Sequence, residues 1–215
     1  PTWTDRLDDV FPWFLFGATM SHRPGDRPQS LEVPSNLCMV PKTLKAPRLI
    51  ASEPTSSMWC QQAIADYLYK ATWQYRKVIN TKDQSVSRSL VLESSKSQRL
   101  ATIDLSSASD RLSCAVVERV FATCPSLLVA LNAVRTPYIR NSIKGTRHFL
   151  LKSRKYASQG TACTFPIQSL VFALIATAAC GIDSLDAAAG KVRVFGDDII
   201  VPKESVSQVV SALHF

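Results

Sequence analysis

The chain of 215 residues carries 25 Lys and Arg against 17 Asp and Glu, a formal net charge of +8, and 46 % of it is hydrophobic. That hydrophobic content excludes wholesale disorder, and the basic excess favours a polyanionic partner, nucleic acid before an anionic membrane, with a merely solvated basic surface as the alternative. Six scattered cysteines and three distant histidines form neither a C-x-x-C pair nor zinc-ligand spacing, which argues against a zinc site and a disulfide framework.

The first 51 residues contain little periodic pattern. Residues 1–36 mix proline, aromatic and charged residues, which predicts irregular structure with short elements, and the segment FPWFLFG is a candidate aromatic anchor. Residues 37–51 alternate apolar stretches with basic residues and two prolines, which predicts an extended basic strand or loop. The polar, acidic N-terminus is not a signal peptide, and a chain that starts with Pro rather than Met is expected to be part of a longer polypeptide.

Two helices and a strand are predicted between residues 56 and 105. Apolar residues recur at helical spacing in residues 56–75, and this stripe is predicted to pack into the core. Residues 80–99 are polar, which indicates a helix with a polar face and a loop, and LATIDL follows as a strand. The predicted core stripe consists of Met58, Trp59, Ile64, Leu68 and Trp73.

The middle of the chain is predicted to hold two more helices and a hairpin. Ser109 and Asp110 are predicted to cap a helix with an apolar stripe over residues 112–121. Two prolines bracket a short helical piece after it, and SIKGTRHFLLKS is predicted to form a β-hairpin that turns near Gly145.

Residues 165–182 are nearly all apolar and raise the question of a membrane span. The polar side chains of Gln168 and Ser169, and a length close to the minimum for spanning, favour a buried helix instead. Beyond this helix the runs VRVFG and IIVP flank Asp197 and Asp198, which predicts a tight hairpin with both carboxylates at its tip.

Three aspartates at strand ends are the most informative feature of the chain. Asp104 ends the strand ATID, where a buried charge is costly unless it is paired or bound to metal, and Asp197 and Asp198 lie at the hairpin tip. Carboxylates on rigid strands suit a pair of hard divalent cations and thus phosphoryl transfer. Taken singly, a surface turn explains the paired Asp, and a helix N-terminal acid explains Asp110.

The segment KYASQGTACTFPIQSL lies between the two acidic clusters. A Ser-x-Gly turn that leads into a helix exposes backbone N–H groups and permits close approach of a sugar-phosphate backbone. Thr164 and Gln168 are four residues apart and therefore share a helix face. An ordinary loop followed by a capped helix is the alternative interpretation.

Four ordered motifs together resemble a known family. DLSSASD, SQGTACTFPIQS and VFGDD are similar, in that order, to motifs A, B and C of the palm of viral RNA-dependent RNA polymerases, most of all to the catalytic replicase subunit of the leviviruses. Upstream, VPKTLKAPRLIASEP resembles the family pattern VPK-x-x-K-x-x-R-x-I-A-x-EP, and Asp83-Gln84 and the ending DD-IIVP are also similar to it. The resemblance runs from about Leu37 to the C-terminus.

The resemblance implies a fold and a division into domains. The expected fold class is α+β, a right-hand polymerase palm with an antiparallel sheet packed on helices, with part of the fingers and without the thumb. Residues 1–100 would form partial fingers with a basic segment through which NTPs reach the site. Residues 101–215 would form the palm with motifs A, B and C, interrupted by a fingers insertion near 130–155.

The resemblance also implies roles for the matched residues. Asp104 and Asp197, with Asp198 beside them, would be the catalytic ligands of two Mg²⁺ ions, with Mn²⁺ as a substitute. Many related polymerases carry Asn at the position of Gln168. The residue at the implied ribose contact therefore departs from the family pattern. The residues implied to contact NTP, ribose or RNA are Lys42, Lys45, Arg48, Asp110, Ser158, Gly160, Thr164 and Gln168.

An RNA-directed RNA polymerase is therefore the expected function, with RNA template and product and NTPs as partners. The family further implies host translation proteins as replicase subunits, the cytoplasm of an infected bacterium as the location, and no membrane. A reverse transcriptase shares the palm and the metals, but it usually has an aromatic residue and a variable one before the paired Asp. A non-catalytic basic RNA-binding module is the alternative from another class.

Overall fold

A computed structural model of the chain describes residues 3–12, 15, 32–42, 47–156 and 159–214. Most of FPWFLFG, together with Lys45 and Ser158, lies outside the described residues. The chain divides into two compact units. The first comprises Pro1–Ala65 and Asp110–Thr164, and the second comprises Asp66–Ser109 and Phe165–Phe215.

The first unit is built around a four-stranded sheet. Its strands are β1 (Ser35–Val40), β2 (Arg48–Ser52), β4 (Tyr138–Asn141) and β5 (Phe149–Lys152), in the order β2-β1-β4-β5. All neighbours are antiparallel except β1 and β4, which pair in parallel. The extended segment and the hairpin near Gly145 predicted from the sequence are thereby confirmed. The helices that begin or lie within this unit are α1 (Asp5–Asp8), α2 (Thr55–Thr72), α5 (Cys114–Val120) and α6 (Pro125–Val134).

A buried polar network joins the end of β2 to the segment after residue 158. Glu53 is 7 % exposed and accepts hydrogen bonds from Gln61 (3.4 Å) and from the Thr136 hydroxyl. Gln61 also donates to the carbonyl oxygen of Val134 at 3.0 Å and accepts from the backbone N–H of Ala162 at 3.3 Å. Buried polar groups are stable only when hydrogen-bonded, so this network holds the 159–162 segment to the unit's core.

The second unit is built around the three-stranded antiparallel sheet β3-β7-β6. Its strands are β3 (Leu100–Asp104), β7 (Asp198–Pro202) and β6 (Arg193–Phe195). Ile199 and Val201 are fully buried, which fits the β-branched runs that predicted these strands. Its helices are α3 (Ser85–Ser97), α7 (Thr164–Ala179) and α8 (Val206–Leu213), and 3₁₀ turns lie at Trp73–Tyr75 and Lys203–Ser205. The first residue of α7, Thr164, is assigned to the first unit. The residues of the short helix α4 (Ala108–Arg111) are divided between the two units.

The predicted core stripe of helix α2 is only partly correct. Ile64 and Leu68 are buried, but Met58, Trp59 and Trp73 are 38 %, 49 % and 53 % exposed. The two buried positions belong to a stripe with a spacing of four residues. Met58 and Trp59 lie off that line on the helix, and Trp73 lies beyond its end in the 3₁₀ turn. The buried residues of this stretch are Ser56, Cys60, Gln61, Ile64, Ala65, Leu68 and Thr72.

The prediction that Ser109 and Asp110 cap the helix with the apolar stripe over residues 112–121 is also wrong. Ala108–Arg111 form a separate short helix, and helix α5 starts only at Cys114. Ser113 is its N-cap, because its hydroxyl accepts a hydrogen bond from the backbone N–H of Val116 at 3.3 Å.

The long apolar segment forms helix α7, as predicted. No helix among the described residues is long and apolar enough to cross a membrane.

All six cysteines are free thiols. Burial raises the pKa of Cys60 and of Cys163 to about 12, so both remain protonated at neutral pH.

Candidate active site

Strands β6 and β7 form a tight hairpin with Asp197 in its turn. Phe195 and Asp198 are register partners, which leaves Gly196 and Asp197 as the two-residue loop. Gly196 has φ +65°, a conformation that costs glycine little. The predicted tight hairpin that carries Asp197 and Asp198 is confirmed.

Helix α7 packs directly against this hairpin. A Cβ on Gly196 would lie 2.6 Å from Cε2 of Phe165, whose ring meets that of Phe195 edge to face with centroids 5.2 Å apart. Ser169, fully buried, donates to the Phe165 carbonyl at 2.8 Å and accepts from the Gly196 backbone N–H at 3.0 Å. Ser169 therefore anchors the turn to the helix, a role that its place in an apolar run did not reveal.

Asp104 and Asp198 are directly opposite each other at the ends of β3 and β7. Directly opposite residues in antiparallel strands project to the same side, with Cβ atoms about 4.5–5.5 Å apart. The sheet thus brings motif-A and motif-C carboxylates together, and Asp197 adjoins them in the turn. The convergence of all three carboxylates on metal ions stays a prediction.

The charged form of Asp198 is disfavoured at this position. Partial burial raises the pKa of Asp198, and the charges of Asp197 and Asp104 raise it further, while a hydrogen bond from Gln84 lowers it. Like charges held this close are an unfavourable arrangement that a bound cation would relieve.

Gln84 is a contact of the site that the sequence motifs left without a role. Its Nε2 donates a hydrogen bond to Oδ2 of Asp198 at 2.9 Å. Next to it, Asp83 accepts from the backbone N–H of Ser85 at 2.8 Å and from the Ser85 hydroxyl at 2.9 Å, which lowers the pKa of Asp83. The Asp83-Gln84 pair thus begins helix α3 and contacts the hairpin at the same time.

Arg193 fixes the segment that carries Gln84. This arginine on β6 is 4 % exposed, and its Nε donates to the Ser87 hydroxyl at 2.8 Å. Its remaining guanidinium N–H groups donate to the carbonyl oxygens of Arg76, Lys77 and Asp83 at 3.3–3.5 Å. A guanidinium has five donors in a rigid fork, so one side chain can hold residues 76–87 against the hairpin strand.

The donor set around Asp104 suits a hard cation, since it consists of carboxylate oxygens and an amide. Among the residues that the structure describes, however, no three or more His, Cys, Asp or Glu side chains are already arranged to hold a metal ion. The strand register makes Asp104 and Asp198 neighbours, and a shared metal site for the three side chains stays a prediction.

Gln168 is the remaining predicted contact in the second unit. It lies on helix α7 and is only 5 % exposed. Its neighbour Ser169, rather than Gln168, makes the hydrogen bond to the carboxylate hairpin. A ribose contact by Gln168 stays a prediction.

The other predicted contact residues that the structure describes belong to the first unit. Lys42 and Arg48 are exposed, and Arg48 opens β2. Asp110 accepts an ion-pair hydrogen bond from Lys155 at 3.1 Å. An acid already paired with a lysine has an ordinary local role, so its predicted ribose contact stays a prediction.

Gly160 and Thr164 lie on either side of the turn that opens helix α7. Gly160 has φ +123°, and a Cβ there would overlap the carbonyl oxygen of Ala51. The backbone N–H of Ala51 in turn donates to the Gln159 carbonyl at 2.8 Å. The glycine is therefore required by close backbone packing, whatever its contact with RNA.

Comparisons with known proteins agree with this geometry. Residues 14–215 match the family described as RNA replicase, beta-chain. The chain belongs to this family. It is 32 % identical over 176 residues to the RNA-directed RNA polymerase subunit beta of Qbeta virus (strain MX1), covering 82 % of this chain and 28 % of that protein. It is 30 % identical over 187 residues to the RNA-directed RNA polymerase beta chain of Escherichia phage MS2, covering 86 % and 32 %.

Among solved structures the replicase chain is similar in fold to telomerase. The apo telomerase of Candida tropicalis, truncated from its C-terminal domain, matches with a TM-score of 0.54 at 10 % identity, over 86 % of this chain and 48 % of that one. A second structure of apo telomerase from the same organism matches with a TM-score of 0.53. The mixed α/β architecture is thus of a polymerase type. The chain spans about a third or less of the length of these curated relatives.

Proposed function

We propose that this replicase chain contributes the catalytic palm of an RNA-directed RNA polymerase, in which an RNA 3′-hydroxyl attacks the α-phosphate of an NTP and releases pyrophosphate. The single observation that carries the proposal is the cross-strand pairing of Asp104 with Asp198 beside Asp197. Membership of the replicase family and the polymerase-type fold support it.

In this proposal Asp104 and Asp197 are the principal ligands of two Mg²⁺ ions, for which Mn²⁺ substitutes, and Asp198 completes the site. When bound, the two ions stabilise the attacking and the leaving oxygen of the displacement. The chain's own part is to hold carboxylates on paired strands, so that little reorganisation is needed at the moment of reaction. Gln84 occupies one oxygen of Asp198, which leaves Asp104 and Asp197 as the freer acids.

The family resemblance also gives roles to basic and turn residues of the first unit. Lys42, Lys45 and Arg48 neutralise the triphosphate, and Arg can hold phosphate through two parallel hydrogen bonds. The segment from Ser158 to Gly160 lies under template and nascent strand, while Asp110, Thr164 and Gln168 face the ribose. In domain terms, residues 101–215 are palm with a fingers insertion near 130–155, and residues 1–100 are partial fingers. The proposed location is the cytoplasm of an infected bacterium, and the similarity to a protein of Escherichia phage MS2 supports it.

The test is nucleotide incorporation on a primed RNA template by the full-length protein and by D197N, with NTPs and dNTPs offered separately. We expect divalent-ion-dependent incorporation of NTPs that D197N loses while it still binds RNA. The control D186N, at an exposed aspartate of the same unit, should keep full activity. Preferential use of dNTPs would identify a reverse transcriptase, and RNA binding without any incorporation would leave only a binding module.

A further inference from the structure

The four-stranded sheet of the first unit has one face without a buried residue. Successive side chains of a strand alternate between faces, and directly opposite residues on neighbouring strands share a face. The register therefore assigns Arg48 of β2, Arg140 of β4 and Lys152 of β5 to one face. The other members of this face include Asn36, Cys38, Val40, Ile50, Tyr138 and Leu150, all exposed or half-buried.

The opposite face carries all the buried residues of the four strands, although Met39, Leu49, Phe149 and Leu151 on that face are 43–54 % exposed. It carries Ser35, Ala51 and Asn141, which are 1 %, 1 % and 6 % exposed. The face with the three cations therefore contributes no buried residue to this unit. We call Arg48, Arg140 and Lys152 with their strand neighbours the cationic sheet face.

Nothing within the four strands compensates the charge of this face. β1, β2, β4 and β5 contain no Asp or Glu. Among the described residues the side chains of Arg48, Arg140 and Lys152 form no hydrogen bond or ion pair, whereas the nearby Glu53 is buried and Asp110 is paired with Lys155. Uncompensated cations on an open face favour a polyanion.

The three cations lie along one diagonal of the sheet. Along strand β1, Arg48 lies opposite Val40 and Arg140 lies opposite Asn36. Lys152 lies on β5, one strand beyond Arg140, and is displaced from it by two residues in the direction away from Arg48. With a strand spacing of about 4.8 Å and a rise of about 3.4 Å per residue, Arg140 is roughly 8 Å from Lys152 and roughly 17 Å from Arg48. A single extended strand crossing the sheet obliquely would meet all three.

We propose that the cationic sheet face binds the sugar-phosphate backbone of an RNA strand, with Arg140 and Lys152 extending the contact that begins at Arg48. This rests on the proposed function for the presence of RNA, but Arg140 and Lys152 lie outside the motifs quoted above. Tyr138, directly opposite Lys152, provides a ring on which a base can stack. The charges of this face have one sign, and a surface of one sign favours a polyanion over a protein partner with mixed charges.

The test is the salt dependence of binding of a labelled single-stranded RNA to the full-length protein, in EDTA and without nucleotides. We expect R140Q and K152Q each to weaken binding and to reduce the slope of log K against log salt by about 0.7, as for one lost phosphate contact on a single strand. R119Q is the matched control, because Arg119 is an exposed cation of the same unit on helix α5, off the sheet. It should leave the slope unchanged.

Three outcomes would overturn the inference. One is an unchanged slope in R140Q and K152Q, and another is an equal change in R119Q. The third is that the charge-preserving variants R140K and K152R lose as much RNA binding as R140Q and K152Q, since the loss would then be one of folding. If RNA binding is intact and association with another protein is lost instead, the face is a protein interface. None of these readouts requires nucleotide incorporation, so the polymerase proposal stands or fails separately with D197N.

Discussion

Asp104 and Asp198, far apart in the sequence, are register partners across β3 and β7. This pairing places two acids of like charge at the strand ends, and Asp197 adds a third beside them. Like charges directly opposite in a sheet are destabilising, so the fold maintains an unfavourable arrangement at this point. Such local cost is expected where a site must bind cations.

D198N should stabilise the protein in the absence of divalent ions. Burial and the neighbouring acids raise the pKa of Asp198, which means that its charged form is disfavoured in the folded state. We expect the free energy of unfolding in EDTA to rise by up to about 1 kcal/mol, the scale of one cross-strand pair. Urea unfolding measures this, with D186N as the control at an exposed acid. A loss of stability in D198N would contradict repulsion as the dominant effect.

Q84A should weaken the response to Mg²⁺ without changing the carboxylates. Gln84 donates to Asp198 at 2.9 Å and so orients a side chain beside the proposed ions. Loss of such an outer partner typically costs about 10-fold in metal affinity or activity. The measurement is the Mg²⁺ concentration that gives half-maximal nucleotide incorporation. Q74A is the control, because Gln74 is exposed and donates to the Ala71 carbonyl rather than to a carboxylate. An equal shift in Q74A would refute the orienting role.

G196A should destabilise the protein more than G190A. Both glycines have positive φ, +65° and +81°, so both substitutions strain the backbone. Only at Gly196 would the new Cβ also meet Phe165, at 2.6 Å, while nothing lies within 4 Å of the Gly190 position. We expect the difference in the free energy of unfolding to be about 1–3 kcal/mol, as for overpacking in a core. Thermal and urea unfolding of the two variants would show it, and equal losses would contradict the packing of helix α7 on the hairpin.

The stability of the first unit should depend on pH through Glu53. Burial raises the pKa of Glu53 above its ordinary value of 4.5, against hydrogen bonds from Thr136 and Gln61 and the charge of Arg135, which lower it. A raised pKa in the folded state stabilises the fold fully below the ordinary value and progressively less as the pH rises through the folded-state pKa.

Wild type should therefore lose stability relative to E53Q as the pH rises from below 4.5 towards neutrality, because Gln cannot ionise. Urea unfolding at a series of pH values measures the difference between the two proteins. E118Q, at an exposed carboxylate on helix α5, is the control and should show no comparable drift. A difference that moves in the opposite direction would mean that the hydrogen bonds to Glu53 outweigh its burial.

Local patterns were enough to predict most elements. Alternating and β-branched runs predicted β3, β6 and β7, and the apolar run from Phe165 predicted helix α7. They were not enough for the face of helix α2, because Met58 and Trp59 have the hydrophobicity of core residues but lie off its buried stripe. Which face of a helix is covered depends on its neighbours, which a local pattern does not contain.

The sequence by itself determined which residue types are available for chemistry: carboxylates at strand ends, a glycine turn, and motifs in an order typical of the replicase family. Only the tertiary structure decided which of them meet. The register of β3 against β7 pairs Asp104 with Asp198, and the fork of Arg193 brings Gln84 to the same carboxylate. The physical reason is that strand register and a buried guanidinium act between segments distant in the chain, so no local spacing encodes them.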